Sequence, residues 1–254
     1  MTIAASGSQK PVTALIKAST ALKQQGLNIS YHYTDNMELQ IVNPHVVKIL
    51  IAARDVDSIN AIAKRTGISF GWAYKWVKEL ARAGVFQASR MKLTLNKGSA
   101  VYKETLAYIR KVFGNDASFY YSVLPLMGIT YCFAKSDAVF VWTKGGYQIG
   151  RSKEYYPIFI KIRARDKEIF DYYVRKLSLQ VNAKHSIFFN PEFEEEFTIE
   201  MCNGIPVEPL DDTISFMQRH FYNFQPALEM VQEMYGKRLG VKYKETAQLE
   251  GSDV

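Results

Sequence analysis

NPHVVKILIAARDVDSINAIAKRTGISFGWAYKWVKELARAGVFQASRMKLTLNKGSAVYKETLAYIRKVF, residues 43–113, is the stretch whose reading decides the fold. Its apolar residues recur at helical and then at strand spacing, which predicts three short amphipathic helices, a tight strand pair and one more helix. Asn43 is a cap and Pro44 suits a first turn, with Val46, Val47, Leu50 and Ile51 facing inward. Thr66-Gly67-Ile68-Ser69 joins the second and third helices: Gly67 takes a left-handed backbone, Ile68 plugs the angle and Ser69 caps the third helix. Ile59, Ile62 and Ala63 share one face of the second helix, and Ala73, Val77 and Leu80 one face of the third. Gly84 stops that helix and Val85-Phe86 begins a strand. The order is that of a helix-turn-helix with a wing.

INAIAKRTGIS, WAYKWVKELARAGVF and MKLTLNKGSAVY together resemble the winged-helix DNA-binding domains of bacterial and archaeal transcription regulators. The last piece is similar to the wing strand of that family, followed by a Leu-Thr-x-x-Gly step into a dimer or linker helix, here Ala100 to Phe113. The resemblance implies that the third helix enters the major groove while the wing and nearby helix starts hold phosphates. It also implies a homodimer reading two half-sites, through the linker helix or the N-terminal extension.

Charge agrees with a polyanionic partner. The 254-residue chain carries 32 Lys+Arg against 25 Asp+Glu, and the excess is local. Residues 43–113 hold Lys48, Arg54, Lys64, Arg65, Lys75, Lys78, Arg82, Arg90, Lys92, Lys97, Lys103, Arg110 and Lys111, opposed only by Asp55, Asp57, Glu79 and Glu104. With Ala73, Val77 and Leu80 turned inward, the DNA-binding residues are expected to be Ser69, Phe70, Gly71, Trp72, Tyr74, Lys75 and Lys78, with Arg90, Lys92 and Lys97 on the wing. Lys75 and Lys78 would approach guanine edges or phosphates and Tyr74 would donate to either, while Trp72 meets thymine methyls or the sugar-phosphate edge. Trp76 is expected to pack against the N-terminal hairpin or a dimer mate.

Two cysteines, Cys132 and Cys202, exclude a disulfide scaffold and read as buried thiols. The four histidines lack metal-ligand spacing. MTIAASGSQK has no apolar signal core, and no run of about eighteen apolar residues occurs. A cytoplasmic protein with no membrane partner, metal or cofactor is expected.

The fold class expected is α+β: a winged helix-turn-helix domain followed by an α/β, nucleotidyltransferase-like domain. Residues 1–42 form a helix and a hairpin turning at Thr34-Asp35-Asn36; 43–113 are the DNA-binding domain with its linker helix; 114–254 are the C-terminal α+β domain. Gly114-Asn115-Asp116 breaks the linker helix. Beyond it, ITYCFAKSDAVFVWT reads as a strand or strand–turn–strand, YYPIFIKIRARD as a strand alternating through Ile158, Ile160 and Ile162, and KEIFDYYVRKLSL as a helix. HSIFFN is a strand, EFTIEMCNGIPVEPL a strand with a turn at Asn203-Gly204, and two closing helices break near Asn223 to Pro226.

YYSVLPLMGITYCFAKSDAVFVWT, YYPIFIKIRARDKEIFDYYVRKL and NGIPVEPLDDTISFMQ look like the C-terminal domain of AbiEi-type antitoxins and related nucleotidyltransferase-like proteins. A working nucleotidyltransferase holds phosphate with a Gly-Ser pair and two metal ions with carboxylates on adjacent strands. Here the first site reads Ala134-Lys135-Ser136-Asp137, and the later strand offers Lys161, Arg163 and Arg165. Asp137 and Asp166 read as turn or cap residues, and the run Glu192, Glu194, Glu195, Glu196 as a solvated face or strand edge. The expectation is therefore no catalysis, and a C-terminal domain that binds a protein partner or a ligand, or oligomerises. The alternative is an enzyme that uses its winged helix to hold a nucleic-acid substrate.

Overall fold

The structure is a computed structural model that describes residues 43–89 and 92–241. The expected N-terminal helix and hairpin, Arg90 and the polar tail from Lys242 lie outside the described residues. Helices and strands are mixed along the chain, compatible with an α+β class. The fold divides into two compact units. The first runs to Ile129 and takes in Glu154–Tyr156 and Asp166–Phe189; the second holds Thr130–Lys153, Pro157–Arg165 and the chain from Asn190 onward. Among the described residues no helix is long and apolar enough to cross a membrane.

In the first unit α1 is Pro44–Ala52, capped by the Asn43 side chain, which accepts the His45 N–H at 2.9 Å. Strand β1 (Val56–Asp57) comes next, then α2 (Ile59–Thr66) and α3 (Phe70–Arg82). Gly67 ends α2 at φ 69°, and the Ser69 hydroxyl accepts the Trp72 N–H to start α3. β2 (Phe86–Ala88) and β3 (Leu93–Leu95) form an antiparallel hairpin, and β1 joins β3 to give the order β1-β3-β2. Ile49, Leu50, Ile62, Ala73, Val77, Leu80, Val85 and Phe86 are buried together with Ile109 of α4 (Ala100–Phe113).

The unit does not stop where Gly114-Asn115-Asp116 breaks the chain. Asp116 caps a further helix, α5 (Ala117–Met127), which packs on α1 and α2, and Arg54 donates to the Met127 carbonyl at 2.8 Å. The boundary expected at 113 thus falls inside the first unit. A glycine-asparagine break marks a turn, and only the packing of the next helix says on which side of a domain boundary it lies.

The C-terminal end of α1 shows how a remote helix completes a local one. Its last turn holds no basic residue, so its carbonyls lack a local cation. α7 (Lys167–Leu177) supplies the donors: Lys176 Nζ donates to Ile51 O at 3.0 Å and to Ala53 O, and Tyr173 Oη to Ala52 O at 2.5 Å. Arg65 Nε adds a bond to Ala52 O at 3.2 Å while its guanidinium pairs with Asp57. Lys176 is 8% exposed, with Tyr102, Tyr172 and Tyr173 ring centroids 5.8, 5.9 and 5.8 Å from its ammonium.

Burial pushes the Lys176 ammonium down to about 7, against the pull of Asp55. An unfolded lysine titrates at 10.5, so between these values the unfolded chain holds more protons and stability rises with pH. Below about 7 the contribution is flat. Above about pH 10 the tyrosines act in reverse, since burial lifts Tyr102 to about 12 and the folded state then holds more protons. Urea midpoints should climb between roughly pH 7 and 10 in the native chain, and Lys176→Met should flatten that slope to what remains from Lys48, whose ammonium burial also lowers. An equal slope in the variant would refute the assignment.

The second unit holds β4 (Tyr131–Phe133), β5 (Tyr155–Arg163) from Pro157 onward, β6 (Ser186–Glu194) from Asn190 onward, β7 (Glu200–Cys202) and β8 (Ile205–Val207). The strand order is β6-β5-β4-β8-β7, with β4 antiparallel to β5 and parallel to β8. Ile158, Ile160 and Ile162 are buried on one side of β5, as their alternation predicts. Asn203 and Gly204, at φ 51° and 80°, form the two-residue turn between β7 and β8, where positive φ suits the twist of the strands.

Two expectations need correction here. The residues after Ala134 form helix α6 (Lys135–Trp142), not a second strand. Ser136 to Val139, Val141 and Trp142 are buried on all sides, so the run has no amphipathic period, and a short apolar run is ambiguous by pattern alone. The closing helices α8 (Leu210–Arg219) and α9 (Phe221–Tyr235) break at His220, not near Pro226, which sits inside α9. Proline there removes the bond to the Tyr222 carbonyl, and Tyr222 is 97% exposed, so water can serve that oxygen.

Candidate nucleic-acid interface

Helix α3 buries Ala73, Trp76, Val77 and Leu80 and leaves Phe70, Gly71, Trp72, Tyr74, Lys75 and Lys78 exposed. Six of the expected DNA-binding residues therefore share one side of a single helix. Ser69 belongs to the same place in another role, because its hydroxyl is the α3 cap. Phe70, Trp72 and Tyr74 are 56%, 49% and 50% exposed. Each keeps about half of a large ring in water and forgoes about 1 to 2 kcal/mol that full burial would contribute.

These rings are ordered by contacts within the unit. Phe70 stacks on Tyr74 with centroids 6.3 Å apart. Trp72 stacks on His45 of α1 at 5.6 Å, and the Lys75 ammonium sits 4.9 Å from the Trp72 ring and 5.2 Å from that of Trp76. Burial, helped by the charge of Lys48, holds His45 below the ordinary histidine range, so the ring on Trp72 is neutral at pH 7. Sequence reasoning missed His45. Its place two residues after the α1 cap carries no mark of a partner on α3, 27 positions away in the chain.

On the hairpin, Lys92 is exposed beside β3. Lys97 is not a free phosphate anchor: its ammonium lies 2.7 Å from Asp55, whose other oxygen accepts the Tyr172 hydroxyl at 2.9 Å. Both partners are more than half exposed, so the pair is worth about 0 to 1 kcal/mol, and a phosphate can compete for the lysine. Arg65, also counted in the basic excess, is spent on buried Asp57. The usable positive charge of the unit is thus smaller than composition suggests.

Neither family models nor curated proteins nor solved structures match this chain.

In the second unit Asp137 is not a helix cap exposed to solvent. Its carboxylate receives Arg151 Nη1 and Nη2 at 3.0 and 3.1 Å and the Phe159 N–H at 2.8 Å, and both side chains of the pair are almost fully buried. Asp166 stands just before α7 and makes no side-chain cap bond to it. The glutamate run lies at a sheet edge, on β6 and just past it: Lys135 pairs with Glu192 and Lys161 lies 3.6 Å from Glu194, while Glu195 and Glu196 follow the strand and are exposed. Glu208, which the sequence did not single out, is buried, accepts the Lys135 N–H at 2.9 Å and lies 3.4 Å from Lys161. Burial raises its carboxyl above the usual range, and despite its own burial Lys161 is held high by Glu208 and Glu194. Lys161, a positive residue of β5 standing where a catalytic carboxylate would be needed, is thus the partner of Glu194 on β6 and of Glu208 just after β8.

Proposed function

We propose that the protein is a transcriptional regulator that binds double-stranded DNA through a winged helix-turn-helix, with α3 in the major groove and the β2–β3 hairpin against the backbone. The observation that carries this reading is the face of α3, where aromatic side chains and two lysines project from a helix set after a left-handed glycine turn. Lys75 and Lys78 supply attraction to phosphate, and Lys92 adds to it from the hairpin. The unit acts as a homodimer, for which α4 offers exposed Tyr108, Val112 and Phe113. The second unit binds a protein or ligand in the manner of an antitoxin domain, without catalysis, in the cytoplasm.

The competing reading, nucleotidyl transfer, draws less support. It would ask Asp137 to ligate metal, and that carboxylate is already engaged by Arg151 and the Phe159 amide.

Selection of bound sequences from random duplex DNA, with the oligomeric state measured alongside, tests the proposal. A consensus with two related half-sites should emerge, and affinity for it should fall at least tenfold between roughly 50 and 200 mM salt. Affinity independent of salt, or no enrichment over the starting pool, would refute it.

A further inference from the structure

Direct reading of bases in the major groove uses side chains that make paired hydrogen bonds to base edges, above all Arg to guanine and Asn or Gln to adenine. The exposed face of α3 from Phe70 to Lys78 contains no Arg, Asn or Gln. Lys75 is held over Trp72 and Trp76. What the face presents is flat and apolar. Phe70, the first residue of the helix, points its ring out at 56% exposure and is backed by Tyr74 stacked behind it. Beside it Gly71 has open space where a side chain would stand, so another molecule can approach the backbone there.

An apolar ring at the leading end of a helix, stiffened by a second ring and flanked by lysines, suits entry between base pairs. Wedges that enter from the minor groove partly unstack a step and kink the duplex, and the cost is least at flexible pyrimidine–purine steps. The same unstacking is open to a ring entering from the major-groove side, where α3 lies in the reading above. From this geometry we infer that Phe70, braced by Tyr74, is a wedge inserted into a pyrimidine–purine step, so that the protein selects its site by duplex deformability more than by base edges. The inference rests on the DNA-binding reading above and adds to it the chemistry of specificity. Trp72, pinned between His45 and Lys75, stays on the helix flank as a support against the backbone.

The test uses the full chain and 30-base-pair duplexes labelled with a fluorophore pair at their ends. One duplex carries a central TA step, a second an A-tract in its place, and a third sample is the TA strand alone. Binding should be roughly tenfold tighter to the TA duplex than to the A-tract, with an increase in end-to-end energy transfer that reports the kink. Phe70→Ala should lose both the preference and the energy-transfer change, its affinity for the TA duplex falling roughly tenfold to that for the A-tract. Its melting temperature should stay within a degree or two, because Phe70 is exposed. Equal affinity for the two duplexes, or binding without a change in transfer, would overturn the wedge and leave the DNA reading standing. Tighter binding to the single strand would overturn it in favour of a stacking platform for unpaired bases. Loss of binding to every duplex would remove the reading on which it rests.

Discussion

Asp137→Ala is expected to destabilise the second unit by about 3 to 5 kcal/mol, the cost of leaving a buried charge without its partner. The Arg151 and Asp137 side chains are 6% and 4% exposed. The carboxylate receives both guanidinium nitrogens and the Phe159 N–H, and Arg151 also donates to Ser136 Oγ at 2.6 Å. Removing the acid leaves the guanidinium in a low-dielectric site and frees a strand amide of β5. The paired variant Asp137→Leu with Arg151→Met should lose markedly less, because burying the ion pair is itself costly. Urea denaturation of the full chain, followed by near-ultraviolet circular dichroism, measures both. A single variant as stable as the native chain would show that the pair does not hold the unit together. The same variant bears on the competing enzyme reading, in which Asp137 would be lost from activity but not from stability.

Lys75→Ala combined with Lys78→Ala has the largest expected effect on binding. Each lysine that neutralises a phosphate contributes about 0.9 to the slope of log affinity against log salt. The double variant should therefore lower that slope by roughly two and weaken binding to a selected site about a hundredfold near 100 mM salt. Both side chains are exposed, and the contact of Lys75 with Trp72 is worth only about 0.5 to 1 kcal/mol, so the fold should survive. Fluorescence anisotropy titrations at several salt concentrations provide the measurement. An unchanged slope would move the DNA contact off α3. The double variant and Phe70→Ala should separate, one losing affinity and the other losing choice of step.

Much of the first unit is legible in the chain because its signals are local. Asn43-Pro44, Gly67 and Ser69 act within three residues of themselves, and each is found at the helix end it predicts. The spacing of Ala73, Val77 and Leu80 sets which side of α3 is buried and so which side is left for a ligand. The second unit is less legible where burial is complete. An amphipathic period exists only when one face meets water, and Lys135–Trp142 has almost no such face. Pro226 misled for a related reason, since a proline breaks a helix only where the orphaned carbonyl finds no other donor.

Local order in the sequence determined the turn, the caps, the hairpin at Asn203-Gly204 and the composition of the α3 face, because those depend on neighbours three or four residues away. Tertiary structure alone decided which charges remain available. Arg65 is taken by Asp57, Lys97 by Asp55, Asp137 by Arg151 and Lys176 by the end of α1. The reason is physical: a charge that loses water must find a partner, and the chain can bring that partner from eight residues away or from well over a hundred.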